Sequence, residues 1–207
     1  MEAIESEVKK LIDSDFVREE QHPNLVANIV PIPKKNEKFQ ICINYRGLNA
    51  TYPKYEFPFP ITDVMIDNTY DFERMSFMDG FLGYNQIKMY PEYEKYTSFR
   101  TSLRIYYCTL MPFGLKNTGA TYQRAMNAIF HEHICKTVEC YVDDIAVKSY
   151  DKGVHLADLR RVFDIMRAHQ LKMNPTKSFL GVASAKFLEF IVTFEGIDLD
   201  PEKVCAI

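Results

Sequence analysis

The sequence predicts an α+β domain built on antiparallel sheet. Three observations predict it: helical and strand-like periodicities alternate without an internal repeat, paired apolar runs are joined by short polar connectors, and 47% hydrophobic with 14% aromatic residues among 207 can fill a core. Fifteen Phe and thirteen Tyr with no Trp favour strands and flat binding surfaces. Every apolar run is broken well before the ~18 residues of a membrane span. The start, MEAIESEVKKL, is acidic and amphipathic rather than a secretion signal. Five cysteines (Cys42, Cys108, Cys135, Cys140, Cys205) with no CxxC pair argue against a disulfide scaffold and a zinc site, and for a reducing, intracellular setting.

Taken in order, Ile4, Val8, Leu11 and Ile12 recur at helical spacing and predict an amphipathic helix over 2–13. LVANIVPIP at 25–33 and FQICI at 39–43 flank the polar KKNEK connector, which predicts a hairpin with three lysines at its tip. Pro53, Pro58 and Pro60 make 52–60 an extended connector, and 61–69 can form a short helix. MSFMD at 75–79 reads as a buried strand ending on an acid, and 96–110 alternates in strand-like fashion. FGLKNTG after Pro112 is a loop, and Ala120, Ala125, Met126, Ile129 and Phe130 line one side of a following helix. TVECYVDDIAVKS predicts a hairpin with an acidic tip, 153–169 another amphipathic helix, and KFLEFIVTF at 186–194 a last single strand.

The formal charge is −3, from 25 Lys and Arg against 28 Asp and Glu, where a simple nucleic-acid-binding module would be basic. The distribution is less neutral than the sum. Residues 2–20 hold seven acids and three bases, whereas 34–54 hold five bases and one acid. A basic patch on an acidic chain can still grip phosphate, although a solvated surface would account for it as well.

Tyr141-Val142-Asp143-Asp144 is the sharpest local feature. Adjacent carboxylates between apolar strands repel, and a hard divalent ion such as Mg²⁺ would offset that repulsion with carboxylate oxygens as ligands. Asp79, ending MSFMD, is the natural third carboxylate for a two-ion site. A solvated turn would also explain the Asp-Asp pair, and the tetrapeptide alone does not decide.

The wider string resembles the reverse transcriptases of gypsy/Ty3-type long-terminal-repeat retrotransposons, particularly plant elements. Six blocks in family order carry the resemblance: NIVPIPKKNEKFQICINYRGLN, SFMDGFLGYNQIKM, YTSFRTSLRIYYCTLMPFGLKNTGATYQRAMNAIF, YVDDIAVKS, HLADLRRVFDIMRAHQLKMNPTKSFLGV and KFLEFIV. It implies the fingers-palm part of a Pol polyprotein with a right-hand polymerase fold, an antiparallel palm sheet packed on helices. Fingers would span about 1–54 and 87–117 and palm about 55–86 and 118–195. The thumb would begin at 196–207 and is otherwise missing. RNase H and integrase segments would accompany the domain in a full element.

The resemblance implies that Asp79, Asp143 and Asp144 converge on two Mg²⁺ (Mn²⁺ as substitute), with the Gly80 carbonyl an additional ligand. Tyr84 falls on the steric gate that excludes a ribose 2′-hydroxyl. Phe113 and Gly114 match the loop that packs the incoming base pair, and Lys34 and Lys35 the hairpin offering cations to the triphosphate. Arg46 and Gln123 match template or primer positions, and Lys177 falls near a lysine that protonates pyrophosphate as a general acid. The implied partners are an RNA or DNA template with primer and a deoxynucleoside triphosphate, with no membrane.

Three residues depart from the family pattern. Gln40 stands where an Arg clamps the triphosphate, a charged contact worth ~1.5–3 kcal/mol. Asn44 replaces an Asp, and Glu189 replaces the Gly of the hairpin that positions the primer end, a strained exchange if that position needs positive φ. The alternative reading is therefore a catalytically weak or inactive nucleic-acid-binding remnant of the same fold. A purely structural domain is a third.

Overall fold

A computed structural model of the chain describes residues 2–33 and 39–199. The elements run α1 (Glu2–Asp13), β1 (Val17–Glu19), β2 (Ala27–Pro33), β3 (Phe39–Asn44), α2 (Arg46–Thr51), α3 (Thr62–Asp67) and β4 (Arg74–Gly80). Next come α4 (Pro91–Glu94), β5 (Phe99–Arg100), β6 (Ile105–Cys108), α5 (Thr118–Ile129), β7 (Val138–Tyr141) and β8 (Asp144–Ser149). The last are α6 (His155–Ala168), β9 (Met173–Val182), β10 (Ser184–Phe187), β11 (Phe190–Thr193) and β12 (Ile197–Leu199). Two compact units result, Met1–Glu56 with Tyr84–Gly119 and Phe57–Gly83 with Ala120–Ile207. Among the described residues no helix is long and apolar enough to cross a membrane, and Cys42, Cys108, Cys135 and Cys140 are free thiols.

The first unit is a sheet in the order β1-β6-β5-β2-β3, antiparallel except where β2 meets β5. Val8 of α1 packs with Val17, Phe99, Tyr106 and Cys108, with Leu11, Ile41 and Ile43 against them. That apolar stripe, not intrinsic propensity, holds a helix of twelve residues. The expected hairpin forms, with Ile32 opposite Gln40 and Pro33 opposite Phe39. Its tip, with Lys34 and Lys35, lies outside the described residues. Asn44 accepts the Arg46 N–H at 3.2 Å and so starts α2, a duty the Asp it replaces would also perform.

The second unit holds a sheet in the order β7-β8-β4-β9 and a smaller one in the order β10-β11-β12. Met65, Ile66, Phe72, Met75, Phe77, Ala146, Phe187 and Val192 form its core. Antiparallel pairing sets Asp79 opposite Asp144, Phe77 opposite Ala146 and Met75 opposite Lys148. Side chains alternate across a sheet, so these residues share one face, and Ser76, Ile145, Val147 and Ser149 share the other. Lys148 and Glu139 form an ion pair at 2.7 Å, their side chains 2% and 3% exposed. The ammonium also donates to the Asn68 carbonyl and lies over the Phe72 ring, 4.9 Å from its centroid.

On the other face α6 is tied down through His155. Its Nε2 is 2.8 Å from Ser76 Oγ and its Nδ1 2.9 Å from Ser149 Oγ. The Ser149 hydroxyl donates to Asp158 and so must accept from Nδ1–H, which leaves Nε2 to accept the Ser76 hydroxyl proton. Burial, the largest cause, moves the His155 pKa down; Arg74 adds to that and Asp158 opposes it.

KFLEFIVTF is not the single strand its apolar character suggested. It folds back as β10 and β11, Phe187 opposite Phe190, around a two-residue turn with Leu188 at φ 49° and Glu189 at φ 76°. A type I′ turn of this kind favours Asn-Gly.

Candidate active site

The carboxylates come together because β4 and β8 end on them. Asp79 is the penultimate residue of β4, and Asp144, its cross-strand partner, opens β8. Val142 and Asp143 make the two-residue turn between β7 and β8, with Tyr141 opposite Asp144. The Gly80 N–H donates to the Asp143 carbonyl at 2.9 Å, which fastens the turn to the end of β4. A Cβ at position 80 would sit 3.2 Å from the Asp143 Cβ and 3.3 Å from the Tyr122 hydroxyl, so any side chain there would push these neighbours back by a few tenths of an ångström.

The electrostatics record the crowding. Burial first, then the charges of Asp143 and Asp79, push the Asp144 carboxyl up to about 6 against the opposing pull of Lys177. Asp143 is raised as well, by burial first, with Asp79 adding to it and its own backbone N–H and Lys177 opposing. Lys177 of β9 reaches Asp79, Nζ to Oδ1 3.5 Å, with its own side chain 67% exposed. Ser178 supports the same strand end, accepting the Asp79 N–H at 3.3 Å while donating to the Asn174 carbonyl.

All-oxygen, anionic donors that repel one another suit a hard divalent cation. Among the described residues, however, no group of three His, Cys, Asp or Glu side chains stands at ion-binding spacing. The expected convergence is one of charge, not of a finished cage, and Asp79 is engaged by Lys177.

Gln123 corrects an expectation. Neither a template-facing residue nor a solvated one, it is fully buried on α5. Its Oε1 accepts the Val142 N–H at 2.7 Å, and its Nε2 donates to the Cys140 carbonyl at 2.9 Å and to Asn127 Oδ1 at 3.0 Å. Both amide hydrogens are used within the protein, so the side chain has no donor left for a strand of nucleic acid. The sequence signal was present: Gln123 follows Ala120 and precedes Met126 by three residues each, on the apolar stripe of its helix. Val142 needs this support, because φ 53° is strained for a β-branched residue by ~1–3 kcal/mol.

Within the other unit, the Tyr84 ring meets Phe113 edge-on at 5.3 Å between centroids, and Phe113 is 52% exposed. Gly114 adopts φ 92°, and a Cβ there would meet the Ile43 carbonyl at 3.6 Å. Asn49, which the sequence reading did not single out, locks this loop. It donates to the Gly114 carbonyl at 2.8 Å and accepts the Lys116 N–H at 2.8 Å. Arg46 stands exposed at the start of α2, the helix whose Asn49 holds this loop.

Solved structures of this shape include foamy viral protease-reverse transcriptases. The foamy viral protease-reverse transcriptase, determined in complex with double-stranded DNA, superposes with a TM-score of 0.88 at 22% identity, over 99% of this chain and 36% of that one. The fold is therefore that of reverse transcriptase fingers and palm. Residues 32–192 match the Reverse transcriptase (RNA-dependent DNA polymerase) family, and the chain belongs to it. Among curated relatives, the retrovirus-related Pol polyprotein from transposon opus of Drosophila melanogaster is 32% identical over 208 residues, 99% of this chain and 21% of its own length. That from transposon gypsy of the same fly is 27% identical over 209 residues, 99% of this chain and 20% of its own length. The chain thus spans about a fifth of these relatives, and its kin are of the gypsy/Ty3 type.

Proposed function

We propose that the protein is the fingers-palm portion of an RNA-directed DNA polymerase, adding deoxynucleotides to a primer 3′-hydroxyl along an RNA or DNA template. One observation carries the reading: Asp79, Asp143 and Asp144, from two strands and one turn, lie at one sheet end where burial and then their mutual repulsion raise Asp144 to about 6. Local charge that opposes folding marks a candidate site for chemistry.

Asp79, Asp143 and Asp144 would hold two Mg²⁺ ions, or Mn²⁺ in their place, with the Gly80 carbonyl as a further oxygen donor. Such ions, when bound, lower the pKa of an attacking hydroxyl and offset charge developing on phosphate. Lys177 would give up Asp79 and stand free, as an ammonium on an exposed stem, to donate a proton to departing pyrophosphate. Tyr84, edge-on to Phe113, would act as the steric gate against a ribose 2′-hydroxyl, and Gly114 would let backbone approach the base pair. Arg46, with Lys34 and Lys35, supplies cations for template and triphosphate. The first unit is read as fingers and the second as palm. The partners are template with primer and deoxynucleoside triphosphate, in an element that also encodes RNase H and integrase.

The remnant reading draws on one specific observation, the strained φ of 76° at Glu189. Primer extension on RNA and DNA templates, with Mg²⁺ titrated, separates the two. Metal-dependent extension abolished by Asp143→Asn supports a polymerase, and none from either this chain or a thumb-extended version supports the remnant. Gln40→Arg with Glu189→Gly in the extended version is expected to raise the rate.

A further inference from the structure

We infer that Gln123 is a positioning residue: its amide holds the Val142–Asp143 turn in the conformation that presents Asp143 and Asp144 to the metal site. In its metal readout the inference rests on the polymerase reading; in its structural readout it does not.

The turn itself sets the requirement. A two-residue hairpin leaves the N–H of its first turn residue outside the strand ladder. Here that residue is Val142, buried to 9% exposure, so its N–H cannot be left to water. Gln123 Oε1 supplies the acceptor at 2.7 Å. The same planar amide donates to the Cys140 carbonyl at 2.9 Å, two residues back on β7. One rigid group therefore grips the strand end and the turn together and fixes their relative rotation. The hydrogen-bond pattern also settles which end of the amide is oxygen, since only that end can face an N–H.

The strain gives the grip its purpose. Valine at φ 53° relaxes toward negative φ unless something opposes it. Such a flip would swing the following peptide, and with it the Asp143 carbonyl that accepts from Gly80. Glycine at 142 would hold the positive φ unaided, so the need for Gln123 and the identity of residue 142 are coupled. Asn127, bonded to Nε2 at 3.0 Å, braces the amide from one turn further along α5. The amide acts on the carboxylates through backbone alone.

Two measurements test this. The first is amide hydrogen exchange on the full chain without metal or nucleic acid. The Val142 amide is expected to exchange at least ~100-fold more slowly than an unstructured amide; exchange at the free rate in folded protein overturns the inference. The second compares Gln123→Met with Gln123→Met/Val142→Gly in Mg²⁺-dependent primer extension. The single variant is expected to raise the Mg²⁺ half-saturation ~10-fold with primer-template affinity unchanged, and the glycine to recover most of that loss. An unchanged Mg²⁺ dependence, or a loss that Val142→Gly does not relieve, overturns it. If the wild-type chain extends no primer, the functional reading fails and the exchange measurement still decides the clamp. It decides likewise if Gln123→Met does not fold.

Discussion

The second unit contains two hairpins that both demand positive φ of residues other than glycine and meet that demand differently. Both turn in two residues, with positive φ at Val142 in one and at Leu188 and Glu189 in the other. Neither has the Asn-Gly or leading glycine that such turns favour. At β7–β8 a buried amide grips the turn from α5. At β10–β11 the flanking Phe187 packs at a tilt against Phe77, centroids 5.3 Å apart, and Leu188 packs against the core. Apolar packing fixes that a turn exists but tolerates small rotations. Directional hydrogen bonds fix how the turn is aimed, which matters where carboxylates must point at one place.

Substitutions at either turn separate the two modes of support. Asp143→Asn, in the first turn, should lower metal-dependent primer extension at least ~100-fold while leaving the thermal midpoint of the metal-free protein unchanged or higher. A rate within a few fold of wild type would remove Asp143 from the chemistry. Gln123→Met leaves the Val142 N–H and the Cys140 carbonyl buried without partners, and should destabilise the protein by ~1–3 kcal/mol in urea. No loss would mean that water replaces the amide. In the second turn, Glu189→Gly should stabilise by ~1 kcal/mol, because glycine takes φ 76° without strain. A loss there instead would show that the glutamate makes contacts outweighing its backbone strain.

The smallest effect concerns α6, fastened by a neutral imidazole. Its pKa is lowered on folding, so the unfolded chain binds the extra proton. The contribution of His155 is therefore complete above the usual imidazole value of about 6.5 and declines as pH falls below it. Asp144, raised to about 6, bends the curve the other way: it contributes stability at low pH that is lost as pH rises through that value. The difference between wild type and His155→Gln isolates the histidine. It should shrink between pH 7 and 5, and a constant difference would contradict the neutral bridge between Ser76 and Ser149.

Much of this was legible in the sequence where period and chemistry agreed. Val8 and Leu11 mark α1, the runs flanking KKNEK mark β2 and β3, and YVDD marks the acidic turn. What escaped was where local chemistry is silent or points elsewhere. Leu188-Glu189 carries no turn signal, so one apolar run concealed two strands. β9 contains Pro175 and alternates poorly because it is an edge strand, exposed at Phe179 and Leu180. Asn49 and Gln123 act on backbone atoms distant in sequence, a relation no local pattern encodes. The carboxylate positions were readable from their motifs, but the engagement of Asp79 by Lys177 required three dimensions.

The Lys148–Glu139 pair has a bearing on how the hairpin finds its alignment. Both residues share a face with Asp144, away from the tip. A slip of one residue between β7 and β8 would invert the faces and strand an ammonium and a carboxylate apart in apolar surroundings, at ~3–5 kcal/mol. Misalignment is thus penalised by residues that never approach a substrate, and the counting that brings Asp143 to the bend is enforced from the opposite end of the strands.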